Sequence, residues 1–136
     1  IAETVKEKTG VVFLVDTLEF LHRGGRIGGA KRFLGTMLNI KPILAVQDGY
    51  VQSIGQVRTQ KKALEELVNI IVERTDGCDK VHLASLHANN LELANDILEK
   101  AKQRIPCVET VFSEVSPAIG THAGPGALGL AYWRED

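Results

Sequence analysis

Lys80-Val-His-Leu-Ala-Ser-Leu86 and Cys107-Val-Glu-Thr-Val-Phe-Ser-Glu-Val115 are two strand-like runs that flank a helical pattern. Asn89 is followed three residues later by Glu92, and this pattern resembles a capping box at the start of that helix. The predicted apolar face of the helix consists of Leu91, Ala94, Leu98 and Ala101. The order strand, helix, strand indicates an α/β fold.

The same alternation of strands and helices extends over the rest of the chain. The predicted strands are Val11–Val15, Pro42–Val46, Tyr50–Val57 and Gly126–Trp133, and Gln47-Asp-Gly49 is a hairpin turn signal between the second and third of these. A short helix is predicted from Leu18, capped by Asp16 or Thr17 and ended by Gly24-Gly25. A second helix is predicted over Ala30–Leu38. A long third helix is predicted from Thr59, and its buried side consists of Leu64, Leu67, Val68 and Ile71. The pattern predicts one α/β domain over residues 1–136.

The composition is that of an ordinary globular protein. Of the 136 residues, 44% are hydrophobic and 24% are charged, which excludes a disordered chain. The apolar runs are too short to cross a bilayer. Cys78 and Cys107 are too few for a disulfide framework, and no histidine spacing suggests zinc, so we expect a reducing cytoplasm and no metal. Because the first residue is Ile1 and not Met, we also expect a domain of a longer protein.

Positive charge is concentrated between His22 and Lys62, although the net charge is only −1. This third holds a single acid, Asp48, against these basic residues: Arg23, Arg26, Lys31, Arg32, Lys41, Arg58, Lys61 and Lys62. Such segregation suggests an anionic partner, and chance combined with helix-end preferences is the alternative. Nucleic acid is disfavoured because aromatic residues, which would stack on bases, make up only 5% of the chain.

Two segments combine glycines with groups that could bind an anion. In Leu18–Gly28, glycines flank Arg26, and in Ser116–Gly126, Thr121 and His122 lie among glycines and prolines. Glycine allows the backbone to approach a ligand closely, while a hydroxyl and an imidazole can donate to a carboxylate or phosphate. The alternative is that these residues only end a helix or stand exposed in a loop. The remaining histidines, His22, His82 and His87, are expected to have no role.

Four ordered motifs resemble the DegV family of bacterial fatty-acid-binding proteins. They are Thr17-Leu-Glu-Phe-Leu-His-Arg-Gly-Gly-Arg-Ile-Gly28, Leu34-Gly-x-x-Leu-Asn-Ile-Lys-Pro42, Val57-Arg-Thr-x-Lys-Lys-Ala63 and Ile119-Gly-Thr-His-Ala-Gly-Pro-Gly-Ala127. The resemblance implies a mixed β-sheet packed with helices, namely the C-terminal domain of a two-domain fold, beginning at a connecting helix over Ala2–Lys8. It also implies a long-chain fatty acid between this domain and an N-terminal domain missing from the chain, and a fatty acid kinase as partner.

The resemblance further implies roles for particular residues. His122, Arg26 and Thr121 would contact the fatty acid carboxylate, and Arg58, with Lys61 and Lys62, would face the kinase. From the residues themselves, we expect an apolar wall for the acyl chain, contiguous with Arg26 and formed by Leu34, Met37, Leu38 and Ile40. The alternative is that these four residues belong to the ordinary hydrophobic core.

The sequence thus predicts a lipid carrier that needs no cofactor and does no chemistry. The alternative is an acyl- or phosphoryl-transfer enzyme with an anion site at Gly120–Gly126. The sequence has no GxSxG, P-loop or HExxH pattern, and this favours the carrier. An isolated domain would expose half of the groove, so we expect it to self-associate and to bind lipid weakly.

Overall fold

The computed structural model describes residues 9–25, 27–35, 40–47, 50–115 and 123–135. Six strands run over Thr9–Leu14 (β1), Lys41–Gln47 (β2), Tyr50–Val57 (β3), Lys80–His87 (β4), Val108–Val115 (β5) and Leu128–Glu135 (β6). Three α-helices run over Glu19–Arg23 (α1), Gln60–Arg74 (α2) and Leu91–Arg104 (α3), and a 3-10 helix covers Gly28–Phe33. The predicted α/β class is confirmed.

All six strands form one mixed sheet in the order β3-β2-β1-β6-β4-β5. β4 and β5 are parallel and are connected through α3, whereas the other neighbouring strands are antiparallel. β6 lies between β1 and β4, with Thr9 opposite Trp133 and Lys80 opposite Glu135. The predicted antiparallel pairing of β2 with β3 is confirmed, with Lys41 opposite Val57.

Helices α2 and α3 cover one face of the sheet. Their buried residues are Ala63, Leu67, Val68 and Ile71 on α2 and Ala94, Ile97, Leu98 and Ala101 on α3. These side chains pack with Val12, Ile43 and Leu83 of the strands in a continuous core. The prediction that Leu91 belongs to this face is wrong, because Leu91 is 55% exposed and the packed stretch of α3 begins one turn later at Ala94.

The opposite face carries a second apolar cluster over the β3-β2-β1 half of the sheet. Phe13, Leu44 and Val51 contribute from the strands, and residues of α1 and the 3-10 helix pack against them. On the β6-β4-β5 half, the ring of Trp133 is stacked on His82 and meets the edge of Phe112. Phe112 remains 37% exposed.

Several element boundaries differ from the predictions. The helix expected over Ala30–Leu38 is instead the 3-10 helix, since Gly28 and Gly29 are poor α-helix formers; residues 36–39 lie outside the described residues. By contrast, Gly24-Gly25 ends α1 as predicted, with Gly24 at the C-cap and Gly25 in the left-handed conformation at φ +71°. The capping box predicted at Asn89 is absent, because Asn90 occupies the N-cap of α3 and Asn89 has φ +60°.

Two further boundaries concern the ends of the chain. Gly126 lies in a turn, and the last strand begins at Leu128. The connecting helix expected over Ala2–Lys8 lies outside the described residues.

None of the helices in the described part of the chain is long and apolar enough to cross a membrane.

Candidate functional site

The described parts of the two glycine-rich segments meet in the second apolar cluster. Residues 123–127, called the glycine loop below, pack against the connection between β1 and α1. Gly124 has φ +94°, and a Cβ added there would lie 2.5 Å from Cδ2 of Phe20. Gly126 has φ +86°, and a Cβ there would overlap the carboxylate of Asp16. Both positions therefore require glycine for backbone conformation and for close approach.

Buried side chains from both segments belong to the same apolar cluster. Leu18, Leu21 and Ile27 come from the first segment, Ala123 comes from the second, and Ala127 directly follows the second. Each of these five residues is less than 8% exposed. The structure thus brings together, in one apolar cluster, two segments that are about a hundred residues apart in sequence.

The turn that follows β4 anchors the glycine loop. The Gly126 amide donates to the carbonyl of Ala88 at 2.7 Å, and the Ala88 amide donates to the carbonyl of Ala127 at 3.0 Å. A third hydrogen bond of 3.0 Å runs from Nδ2 of Asn90 to the carbonyl of Gly126. The loop therefore lies between this turn and the Asp16–Phe20 segment.

Two of the three histidines expected to have no role have a structural one. His87 is 2% exposed, and its Nδ1 accepts a hydrogen bond of 3.2 Å from the Asn90 amide. His82 stacks on Trp133 with a centroid separation of 5.1 Å, and its Nε2 lies 3.1 Å from Oε1 of Glu135. His22 is exposed on α1.

The predicted ligand contacts fall largely outside the described residues. This applies to Arg26, Met37, Leu38, Thr121 and His122. Of the predicted apolar wall, Ile40 is half-buried against the second cluster, whereas Leu34 is 39% exposed. Ile40 thus contacts the cluster beside the glycine loop.

The predicted partner surface is exposed at the start of α2. Arg58, Lys61 and Lys62 are all exposed, and Thr59 caps the helix by accepting a hydrogen bond of 3.2 Å from the Lys62 amide. Beside them, α2 and α3 enclose an open groove of about 360 Å³. It is lined by Lys61, Leu64, Glu65, Val68, Asn69, Lys100, Gln103 and Arg104.

Sequence reasoning missed the residues that position the glycine loop. The sequence predicts only a capping role for Asp16 and no role for Phe20, His87 or Asn90. The available signal was the Asn89-Asn90 pair directly after an apolar strand, which is typical of a tight turn. Among the described residues, no group of three or more His, Cys, Asp or Glu side chains could hold a metal ion.

Comparison with known proteins identifies the fold and its relatives. Residues 1–135 match the family profile described as "Uncharacterised protein, DegV family". A DegV domain-containing protein of Clostridium acetobutylicum is 38% identical over 134 residues, which are 98% of this chain and 47% of that protein. The chain therefore spans about half the length of the relatives it matches.

Two solved structures of similar architecture are described as fatty acid binding. The DegV family protein of Thermus thermophilus superposes with a TM-score of 0.87 at 34% identity, over 94% of this chain and 46% of that one. DegV of Bacillus subtilis superposes with a TM-score of 0.77 at 34% identity, over 98% of this chain and 47% of that one.

Proposed function

The chain belongs to the DegV family, and from this premise we propose that it forms the C-terminal half of a fatty-acid-binding protein. In this proposal a long-chain fatty acid occupies a groove that residues 1–136 share with an N-terminal domain. The protein holds the lipid and presents its carboxylate to a fatty acid kinase in the cytoplasm. It is a carrier and does no chemistry of its own.

The observation that carries the proposal is that the glycine loop packs into the second apolar cluster. A fatty acid needs a long apolar wall together with a polar receptor for one anion. The second cluster offers apolar side chains, including the half-buried Ile40, and the glycine loop is a tightly packed turn beside them. Solved relatives at 34% identity are described as fatty acid binding.

Chain connectivity supports the proposed carboxylate contacts. Arg26 directly precedes Ile27, and His122 directly precedes Ala123. Ile27 and Ala123 are both buried in the second cluster, and this supports assigning their sequence neighbours Arg26 and His122 to one site. We assign His122 and Arg26 to the carboxylate, with Thr121 as a further donor, and Leu34, Met37, Leu38 and Ile40 to the wall along the acyl chain.

The relatives' length supports a groove shared by two domains. Because this chain covers 47% of the C. acetobutylicum relative, more than half of that architecture lies outside it. Each buried methylene contributes about 0.8 kcal/mol, so a groove with only one wall would lose several orders of magnitude in affinity. We therefore expect the isolated chain to self-associate and to bind fatty acid far more weakly than a two-domain protein.

The kinase would dock on the basic surface at the start of α2. Arg58, Lys61 and Lys62 are exposed there, at the helix end where the dipole disfavours cations. Three cations placed against the dipole are suited to an acidic protein surface, and such pairing mainly increases the association rate.

Native mass spectrometry of the two-domain protein, purified without added lipid, tests the proposal. We expect one acyl ligand per protein, displaced by a fluorescent fatty acid, and much weaker displacement in the isolated chain. Absence of both retained ligand and displacement in the two-domain protein would refute lipid carriage. Turnover of an acyl phosphate or acyl thioester without any partner would support the transferase alternative instead.

A further inference from the structure

Asn90 occupies the N-cap of α3 but does not use its side chain to cap that helix. An N-cap asparagine ordinarily accepts a hydrogen bond from an amide in the first helical turn. Asn90 makes no such side-chain bond, and its Nδ2 donates instead to the carbonyl of Gly126 at 3.0 Å. A group suited to stabilising α3 therefore stabilises the glycine loop.

His87 and Asn89 set the position of Asn90. The Asn90 amide donates to Nδ1 of His87, whose side chain is buried at the end of β4. Asn89 has φ +60°, a left-handed conformation that asparagine tolerates better than most residues. The turn from His87 to Asn90 thus has a defined geometry, and the Asn90 side chain extends from it toward the loop.

The loop is restrained on both sides. On one side, the backbone of Ala88 exchanges hydrogen bonds with Gly126 and Ala127. On the other side, Phe20 and Asp16 leave no space for a Cβ at Gly124 or Gly126. The hydrogen bond from Asn90 to the Gly126 carbonyl is made by a side chain, so a substitution at Asn90 can remove it while the backbone hydrogen bonds stay in place.

We propose that Asn90 is a positioning residue, which fixes the glycine loop of the proposed fatty acid site. This role rests on the proposed function, because in the sequence the loop directly follows Thr121 and His122, which that proposal assigns to the fatty acid carboxylate. The Asn90 side chain acts through the Gly126 carbonyl and does not contact the ligand. The uncapped N-terminus of α3 is the stability cost of this arrangement.

Asn90→Asp and Asn90→Ala separate loop positioning from helix stability. Aspartate cannot donate to the Gly126 carbonyl, but it can cap α3 and interacts favourably with the helix dipole. Alanine does neither. Asn89→Asp is the matched control, because it makes the same chemical change at an exposed neighbour that keeps its left-handed conformation.

Amide hydrogen exchange on this chain, followed by NMR, gives a readout that needs no lipid. We expect the Gly126 and Ala127 amides to exchange about tenfold faster in both Asn90 variants, since a lost hydrogen bond with a carbonyl left unpaired is worth about that factor. The melting temperature of Asn90→Asp should nevertheless exceed that of Asn90→Ala by about 3 °C. Asn89→Asp should leave both amides within about twofold of the wild type.

The proposal is overturned if Asn90→Asp exchanges like the wild type, or if exchange in the variants simply follows their melting temperatures. The second arm measures oleate affinity in the two-domain protein. There we expect Asn90→Asp to bind about tenfold more weakly and Asn89→Asp to bind normally, and unchanged affinity in Asn90→Asp also overturns the role. A wild-type protein that fails to bind oleate refutes the proposed function, and hydrogen exchange then decides alone whether Asn90 positions the loop.

Discussion

Replacing Gly124 by alanine tests the close packing of the glycine loop against α1. Gly124 is buried with φ +94°, and the added methyl group would lie 2.5 Å from Cδ2 and 3.0 Å from Cε2 of Phe20. The backbone contributes about 1 kcal/mol to the expected loss of unfolding free energy, since the penalty of about 1–2 kcal/mol for a left-handed alanine is partly offset by the lower entropy of the unfolded chain. Displacing a packed ring adds about 2 kcal/mol.

The expected loss for Gly124→Ala is therefore about 3 kcal/mol, or a fall in melting temperature of about 10 °C for a chain of this size. Gly77→Ala is the matched control, because Gly77 has φ +77° and no atom of the described residues lies within 4 Å of the added Cβ. Gly77→Ala should cost only the backbone term, about 1 kcal/mol or about 3 °C. Chemical denaturation and calorimetry measure both variants.

A double-mutant cycle isolates the contribution of the ring. When Phe20→Ala is combined with Gly124→Ala, the steric part disappears, so the double variant should lose about 2 kcal/mol less than the sum of the single variants. Equal losses for Gly124→Ala and Gly77→Ala, or strict additivity in the cycle, would show that Phe20 does not restrain the loop.

Three further predictions concern ligand, partner and helix. In the two-domain protein, His122→Ala should weaken fatty acid binding while the melting temperature is retained, because a carboxylate without its donor is costly to bury; unchanged affinity in a fluorescent displacement assay would remove His122 from the site. Arg58→Glu should slow kinase-dependent acyl phosphorylation and leave lipid retention near the wild-type level, and a defect explained entirely by lost lipid would contradict docking at this surface. Thr59→Ala should destabilise the chain by about 1 kcal/mol, because the Lys62 amide loses the oxygen that accepts its hydrogen bond. Thr59→Ser keeps a hydroxyl at this position and should retain most of that stability. Calorimetry measures both variants.

Local patterns predicted the helices and strands best where the signal lies within a few residues. The start of α2 follows from Thr59, whose side chain caps the helix, and its buried side follows from helical spacing. The β2–β3 pair follows from two strand-like runs separated by a turn signal. The 3-10 helix was missed because Gly28 and Gly29 precede a segment whose apolar spacing resembles an α-helix.

The contact between the two candidate segments could not be predicted from the sequence. Glycines marked both segments, yet their contact depends on β6 pairing with both β1 and β4, which local patterns do not specify. The role of Asn90 depends on the same long-range pairing, because Gly126 lies two residues before the start of β6. The sequence alone does not distinguish a buried, hydrogen-bonded histidine such as His87 from a histidine without a structural role.

The central position of β6 has a consequence for folding during synthesis. β6 alone connects the β3-β2-β1 part of the sheet to the β4-β5 part, and it is the last of the described strands to leave the ribosome. Until then β1 and β4 each lack a neighbour, and a nascent chain with two unpaired strand edges is prone to aggregation. The β2–β3 hairpin and the β4-α3-β5 unit can form early, but the sheet closes only after residue 135 has been translated. A truncation within β6 should therefore produce a chain that chaperones retain and proteases degrade.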